Sequence, residues 1–212
     1  MREYLVTLLL AASVCYVVTP YVRQWAIRFG VVAKIRERHV HTTPTPRWGG
    51  LAMWIGMAVT FAIVHHLSLV GKSFTRESIG IFLAATFLVA LGMIDDRFEL
   101  DALTKLAGQA LAAGILLIYG VQIFWLPING VMTLPPSIGQ LLTVLIVLVT
   151  INAVNFIDGL DGLAAGIVAI SGAAFFAFAY LLAVVYGFSR AGAPSLITAV
   201  IIGVCIGFLP HN

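Results

Sequence analysis

The sequence predicts an all-α protein that folds as a polytopic bundle of transmembrane helices. Of its 212 residues, 61% are hydrophobic and only 10% are charged, whereas soluble domains carry about 25% charged residues. The mean hydropathy is +1.05, and the apolar residues fall in long uninterrupted runs. Because so few charges cannot cover a water-facing surface, we expect lipid to be the solvent of most of the chain.

Seven apolar runs predict seven spans, since about 20 helical residues cross a bilayer. No linker or repeat divides the runs, so we expect one integral membrane domain over residues 1–212. The predicted spans cover residues 4–22, 49–70, 78–94, 103–120, 137–154, 163–187 and 195–209.

The uncharged segment "VQIFWLPINGVMTLPP" separates the fourth and fifth spans. Its two apolar runs flank Asn129-Gly130, a pair typical of a type I′ hairpin turn. This pattern predicts a short outer β-hairpin, with Trp125 anchored at the membrane interface.

Basic residues predict the orientation of the bundle. Six of the twelve Lys and Arg residues lie in the segment 23–48, which the positive-inside rule assigns to the cytoplasm. Alternation then brings residues 95–103, residues 155–162 and the C-terminal end to the same inner face. The net charge of +3 suits anionic headgroups or phosphate substrates beside a membrane, and we expect no nucleic-acid partner.

The most polar stretch between two spans is "NAVNFIDGLDGLAAG", residues 152–166. Asn152, Asn155, Asp158 and Asp161 recur every three residues, an interval that keeps them along one side of a helix. Aspartates beside lipid need water, a cation or a partner. A purely structural alternative is that Asn155 and Asp158 cap the following helix, with Asp161 in its first turn.

The second polar cluster is "LGMIDDRFELDALTK", in which Asp95 and Asp96 directly follow the third span. Adjacent carboxylates repel each other, so one of them should be ion-paired or bound to a metal. A solvated loop between two helices is the alternative, and for Asp101 we expect the structural role of helix N-cap.

The third cluster is "RERHVHTTPTPRWGG", residues 36–50. Arg38, His41 and Arg47 supply positive charge and hydrogen-bond donors suited to phosphate, although charge alone favours an ordinary positive-inside loop. Carboxylates and a basic, glycine-containing loop on one membrane face together favour a magnesium-assisted reaction of phosphates.

Four stretches of the chain resemble a known enzyme family. In order and spacing, "HTTPTPRWGG", "GMIDDR", "NAVNFIDGLDGL" and "GFLPHN" are similar to the polyprenyl-phosphate N-acetylhexosamine-1-phosphate transferases of glycosyltransferase family 4, which include the phospho-MurNAc-pentapeptide translocase. The form "PTPRWGG" looks closer to the GlcNAc-1-phosphate branch than to the muramyl branch.

The resemblance implies a multi-pass enzyme of the bacterial cell membrane with its active site facing the cytoplasm. It would transfer GlcNAc-1-phosphate from UDP-GlcNAc, or another UDP-N-acetylhexosamine, to undecaprenyl or decaprenyl phosphate. The products would be UMP and a polyprenyl-diphosphate sugar, the first lipid-linked intermediate of a cell-envelope polysaccharide.

The resemblance also implies roles for individual residues. Asp95 would be the base or a magnesium ligand, and Asp96 would support the metal or orient Asp95. The residues implied to line the nucleotide and diphosphate pocket are Asn152, Asn155, Asp158, Gly159, Leu160, Asp161, Arg38, His41 and Asn212. Of these, Asp158 and Asp161 are candidate catalytic residues together with the Asp95–Asp96 pair.

The implied cofactor is Mg²⁺, with Mn²⁺ as an alternative, and the family also implies a homodimer. Family members have ten or eleven spans and continue with a Met-Gly-Asp-x-Gly-Ser segment, so the resemblance predicts a chain truncated at its C-terminus and inactive by itself. The alternatives are a transporter or channel with an acidic cytoplasmic-face site, a CDP-alcohol phosphotransferase and a non-catalytic membrane subunit.

Overall fold

The computed structural model describes residues 2–32, 47–67, 71–128, 130–158, 161–188 and 191–212. These residues form a helical bundle with one small hairpin, as the composition predicted. The helices are α1 (Arg2–Arg28), α2 (Gly49–Val64), α3 (Arg76–Phe98), α4 (Ala102–Ile118), α5 (Pro136–Ile157), α6 (Leu163–Tyr180) and α7 (Gly192–Phe208). Helix α6 continues as a π-helix over Leu181–Val185, and short 3₁₀ turns cover Gly71–Ser73 and Leu209–His211.

Among the described residues, five helices are long and apolar enough to cross a membrane: α1, α3, α5, α6 with its π-helical extension, and α7 with its final turn. Helices α2 and α4 are apolar but shorter. Helix α2 ends at Val64, earlier than the predicted limit at residue 70. The chain is therefore a multi-pass membrane protein.

The core lies where α7 meets α1 and α2. Buried side chains from the three helices pack together there: Ala11, Cys15, Phe61, Val64, Leu196, Val200 and Val204. Helix α7 is the most enclosed candidate span, with 61% of its apolar window buried, whereas α5 is at the periphery with 6%. Lipid-facing and core-facing helices are both apolar, so hydropathy alone did not distinguish them.

Two glycines allow α7 to approach α1 closely. A Cβ atom at Gly203 would collide with the Leu8 carbonyl and Ala11, and one at Gly207 with the Ala12 backbone. Small residues four apart are a common means of helix packing in membranes, because dispersion contacts replace the hydrophobic drive that lipid removes.

Buried hydroxyl groups are satisfied within their own helices. Thr7, Thr19, Thr60 and Thr143 each donate to the carbonyl four residues earlier, at 2.6–2.8 Å. Lipid offers no alternative partner for a polar group, so this internal pairing removes a cost of burying it.

The predicted hairpin is present. Strand β1 (Trp125–Leu126) pairs antiparallel with β2 (Met132–Thr133), in the register Trp125 to Thr133 and Leu126 to Met132. The connection covers residues 127–131 and is longer than the two-residue turn that Asn-Gly indicated. Pro127 cannot donate to a ladder, which is consistent with the first strand ending before it.

One end of the bundle gathers segments that are distant in sequence. Phe29 contacts Trp48 with ring centroids 5.7 Å apart, and Arg97 Nη1 donates to the Phe29 carbonyl at 3.2 Å. Gly49 lies against Phe208, which brings α7 to the same end. We call this the polar end and define it as residues 28–31, 47–50, 95–105, 152–158, 161–163 and 208–212. All five aspartates of the chain lie there.

Candidate active site

Asp95 lies in the last turn of α3, not in a loop after it as the sequence predicted. Its Oδ1 accepts from the Leu100 backbone N–H at 3.0 Å and from Lys105 Nζ at 2.8 Å. Glu99 ends α3 in the left-handed conformation with φ 50°, so the chain reverses at once into α4. The Asp95 carboxylate thus stabilises the α3–α4 turn and is ion-paired, as the repulsion argument required of one member of the pair.

Asp96 lies on a different face of α3 from Asp95. Adjacent helical residues diverge by about 100°, and while Asp95 contacts α4, Asp96 borders a cavity of about 230 Å³ between α3 and α2. Arg47 and Trp48 border the same cavity, and the Arg47 charge acts on the Asp96 carboxylate. The remaining lining is Gly50, Leu51, Leu88, Val89, Gly92 and Met93. Asp95 is therefore ion-paired with Lys105, whereas Asp96 lies nearer Arg47 and is influenced by both cations.

Asp101 is the N-cap of α4, as predicted. Its Oδ2 accepts from the Thr104 backbone N–H at 3.1 Å, and its other oxygen accepts from the Thr104 hydroxyl. These hydrogen bonds, the hydroxyl first, lower the pKa of the Asp101 carboxyl. Its role is structural.

The evenly spaced polar residues do not share one continuous helix. Asn152 and Asn155 lie on α5, which ends at Ile157, and Asp158 is its C-cap residue. Helix α6 begins after Gly162, whose φ is 69°, so the capping alternative for Asn155 and Asp158 is also wrong. The helical interval breaks there because α5 ends at Ile157 and Gly162, in the left-handed conformation, precedes α6.

Asp158 and Asp161 are both exposed at the polar end. Although its side chain reaches solvent, partial desolvation by the surrounding chain raises the pKa of the Asp158 carboxyl above its ordinary value. Charge at this position is therefore disfavoured until a cation or hydrogen-bond donor approaches.

The end of α7 reaches the turn that contains Asp161. A Cβ atom at Gly162 would lie 3.2 Å from Leu209 Cδ2, and Asn212 follows the final 3₁₀ turn, Leu209–His211. Asn212 is exposed at the same end of the bundle. The positions Arg38, His41, Gly159 and Leu160 lie outside the described residues.

Two residues lie between the carboxylate pair and the Asn-Asp stretch: the sequence suggested that Lys105, if not solvated or facing lipid, could reach the acidic cluster, whereas Gln109 was not identified. Lys105 and Gln109, one turn apart on α4, contact Asp95 on one side and Asn152 on the other. Gln109 Oε1 accepts from Asn152 Nδ2 at 2.7 Å, and Lys105 is paired with Asp95. The available signal was the i, i+4 spacing of two polar side chains in the otherwise apolar helix "ALTKLAGQALAAGILLI".

Helix α4 thus contacts Asp95 through Lys105 and Asn152 through Gln109. Within the described residues, no hydrogen bond or ion pair links Asp158 to Asp95 or Asp96. The polar end instead presents two acidic positions, with the Lys105 ammonium on the helix between them. The aspartates gather at one end of the bundle, which does not favour the transporter alternative, because that alternative predicted charges near the bilayer midplane.

Magnesium fits the donors at the end of α3. Mg²⁺ is commonly held by one or two carboxylates, with phosphate oxygens and water completing its coordination. Among the described residues no group of three or more His, Cys, Asp and Glu side chains forms a site by itself. A metal at Asp95 or Asp96 would therefore depend on substrate oxygens or on residues outside that set.

Comparison with known proteins identifies the family. The model of glycosyl transferase family 4 matches residues 78–212, which include all the aspartates and the whole of α4, α5, α6 and α7. The chain belongs to glycosyl transferase family 4.

Relatives extend the likeness to the N-terminal part. The chain is 44% identical to the decaprenyl-phosphate N-acetylglucosaminephosphotransferase of Mycolicibacterium smegmatis and 41% to that of Mycobacterium tuberculosis, in both cases over 100% of this chain and 54% of the relative. A probable undecaprenyl-phosphate N-acetylglucosaminyl 1-phosphate transferase of Bacillus subtilis is 30% identical over 50% of this chain and 28% of its own length. The chain spans about half the length of the mycobacterial relatives.

Proposed function

We propose that the complete gene product transfers N-acetylglucosamine-1-phosphate from UDP-GlcNAc to a polyprenyl phosphate, with decaprenyl phosphate as the first acceptor to test. The observation that carries the proposal is the full-length alignment of this chain with mycobacterial proteins named for that phosphotransfer, at 41–44% identity. The polar end supports it, because it supplies carboxylates, a lysine and an arginine at one end of a membrane bundle.

In the proposed reaction a phosphate oxygen of the lipid attacks the β-phosphorus of UDP-GlcNAc, the phosphorus that carries the sugar. The bond from that phosphorus to the bridging oxygen breaks, and UMP leaves with the oxygen. The polyprenyl-diphosphate sugar remains in the membrane. Since both reactants are anionic, catalysis requires positioning and charge neutralisation more than covalent chemistry.

The residues divide that work by position. Lys105 directs positive charge toward the carboxylate pair, and Arg47, in the segment just before α2, does the same. In this proposal Asp95 accepts the proton of the lipid phosphate or serves as a magnesium ligand. Asp96 supports the metal or orients Asp95. Asp95 and Asp96 would help to hold a magnesium ion, which would supply positive charge to neutralise the phosphates and the leaving group.

The nucleotide is proposed to bind along the end of α5. Asn152, Asn155 and Asp158 present amide and carboxylate groups there, with Asp161 after the turn. Gly159 and Leu160 would contribute backbone groups, and Arg38, His41 and Asn212 would contact the diphosphate. A homodimer stays a prediction.

The polar end is proposed to face the cytoplasm, because six of the twelve basic residues lie in the segment 23–48 and inner loops carry the excess of Lys and Arg. Nucleotide sugar then arrives from water and the prenyl chain from the bilayer. A site at the membrane boundary admits both substrates.

The test is UMP release from UDP-GlcNAc in membranes that contain the complete gene product. Asp95→Asn and Asp158→Asn should each abolish it. Asp101→Asn is the matched control: it makes the same chemical change at the same end of the bundle, and asparagine caps a helix as well as aspartate does. Normal UMP release from either of the first two variants would refute the assigned role, and loss in all three would indicate a folding defect.

A further inference from the structure

Gln109 is a buried polar residue in an apolar helix, and its side chain is directed at a residue of the proposed nucleotide site. It is only 7% exposed. Its Oε1 accepts from Asn152 Nδ2 at 2.7 Å, across the interface between α4 and α5. Burying an amide beside lipid is costly unless its hydrogen bonds are made, and Asn152 supplies one of them.

The Leu148 carbonyl fixes the orientation of the Asn152 amide. Asn152 Nδ2 also donates to the Leu148 carbonyl oxygen at 2.8 Å, and a carbonyl can only accept. The nitrogen must therefore face Leu148, and Gln109 must present its oxygen to the same nitrogen. A reversed Asn152 amide would place two oxygens against each other at both contacts.

This arrangement leaves one group of Asn152 for a ligand. Both amide hydrogens have partners, while the Oδ1 oxygen makes no hydrogen bond within the described part of the chain. The side chain is exposed, one turn before Asn155 and in the last two turns of α5. An asparagine held in this way is a hydrogen-bond acceptor of fixed direction.

We propose that Gln109 is a positioning residue that orients Asn152, so that Asn152 Oδ1 accepts a hydrogen bond from an N–H or O–H group of the nucleotide sugar. The inference rests on the proposed function. It adds Gln109 to the proposed site and assigns Asn152 as a hydrogen-bond acceptor rather than a donor. Without the Gln109 oxygen, Asn152 retains only its bond to Leu148 and can rotate. The ligand then loses a pre-oriented acceptor, but the reacting phosphates lose nothing.

The experiment measures UMP release against UDP-GlcNAc concentration for the complete gene product and three variants. Gln109→Met keeps the length and shape of the side chain and removes its hydrogen bonding. We expect it to raise KM for UDP-GlcNAc about five- to tenfold, the effect of one lost hydrogen bond, with kcat changed less than about twofold. Gln109→Glu retains an acceptor oxygen and should restore KM to within about twofold of the parent. Gln140→Met, the same change at an exposed position near the other end of α5, should leave both constants unchanged.

A double-mutant cycle with Asn152→Ala separates positioning from packing. If Gln109 acts through Asn152, adding Gln109→Met to Asn152→Ala should not raise KM further. Independent, multiplying effects would overturn the inference, as would a normal KM for Gln109→Met or an equal defect in Gln109→Glu. Should Gln109→Met not accumulate, Gln109→Asn takes its place in the cycle, because a side chain one methylene shorter no longer reaches Asn152. Absence of UMP release from the parent protein would instead refute the proposed function.

Discussion

The negative charge of Asp158, which the proposed nucleotide site uses, lowers the stability of the fold. Its carboxyl has a raised pKa because the surrounding chain removes solvent from it. A group with a higher pKa in the folded than in the unfolded state binds a proton on folding, so it stabilises the fold at low pH and costs stability once it is ionised in both states. Functional sites often contain such destabilising charges, because a cationic or hydrogen-bonding ligand interacts with them.

The first prediction concerns the thermal stability of Asp158→Asn. At neutral pH the variant should be as stable as the parent or more stable, because the desolvated charge is gone. Its advantage should shrink as the pH falls from the raised pKa of Asp158 toward the ordinary value near 3.8. Scanning fluorimetry in detergent between pH 8 and about pH 4 measures this. A lower Tm than the parent at neutral pH would mean that a structural partner holds the charge.

The second prediction concerns Lys105. The Lys105–Asp95 pair spans 2.8 Å, but its side chains remain 38% and 27% exposed, and such pairs contribute about 0.2–1 kcal/mol. Lys105→Met should therefore lower Tm only slightly, while UMP release falls by at least about tenfold because a cation near the phosphates is lost. Activity that falls only in proportion to stability would make Lys105 a purely structural residue.

At the residue scale, local interactions were predictable and interactions across helices were not. Asp101 could be assigned as an N-cap because its partner, Thr104, lies three residues away. The pairing of Gln109 with Asn152 depends on which faces of α4 and α5 meet, and the sequence does not state this. Asp95 and Asp96 were found as a pair, but their divergence around α3 follows only once the helix is known to extend past them.

At the scale of elements, the α1–α7 contact is the most demanding packing in the bundle. Gly203 and Gly207 bring the α7 backbone against α1, and a side chain at either position would collide with α1 atoms. The spacing G-x-x-x-G at 203–207 was the signal in the sequence.

The third prediction follows from that packing. Gly207→Val should destabilise the fold by about 1–3 kcal/mol or more, which for a chain of this size lowers Tm by several degrees. Gly114→Val is the control, because a Cβ atom at Gly114 meets nothing within 4 Å. Size-exclusion profiles and Tm in detergent measure both variants. Equal stability of the two would show that the α1–α7 contact does not constrain the fold.

The ends of helices were the least predictable feature of the elements. Hydropathy placed the end of the third span at residue 94, but backbone hydrogen bonding carries α3 to Phe98. Similarly α5 extends to Ile157 and includes Asn155. A polar residue ends a hydrophobic run without ending a helix, because the i to i−4 ladder does not depend on side-chain polarity.

At the scale of the whole molecule, two opposite ends have different character. The polar end carries the aspartates, while the other end holds the contact of Arg76 with the Ile118 carbonyl at 3.2 Å and the ring contact of Tyr4 with Tyr180 at 5.9 Å. Hydropathy and charge predicted which loops share an end. They did not predict that α7 lies at the centre and α5 at the edge, since both helices are equally apolar.

The fourth prediction is the orientation of the two ends. In a Cys15/Cys205-free background, Leu103→Cys at the polar end and Val131→Cys in the hairpin are matched probes, with parent side chains 78% and 73% exposed. A membrane-impermeant maleimide should label residue 131 in intact spheroplasts and residue 103 only in inverted vesicles. Labelling of both from the same side would contradict the proposed topology.

The most direct test of the account uses UDP-GlcNAc labelled with ³²P in the β-phosphate, incubated with polyprenyl phosphate and membranes containing the complete gene product. Because the reaction is proposed to break the diphosphate bond, the label should pass to the lipid fraction while unlabelled UMP is released, and Asp158→Asn should prevent both. Label that stays in a water-soluble nucleotide while the sugar moves to lipid, or no transfer at all, would contradict the central claim that the polar end performs phosphate transfer.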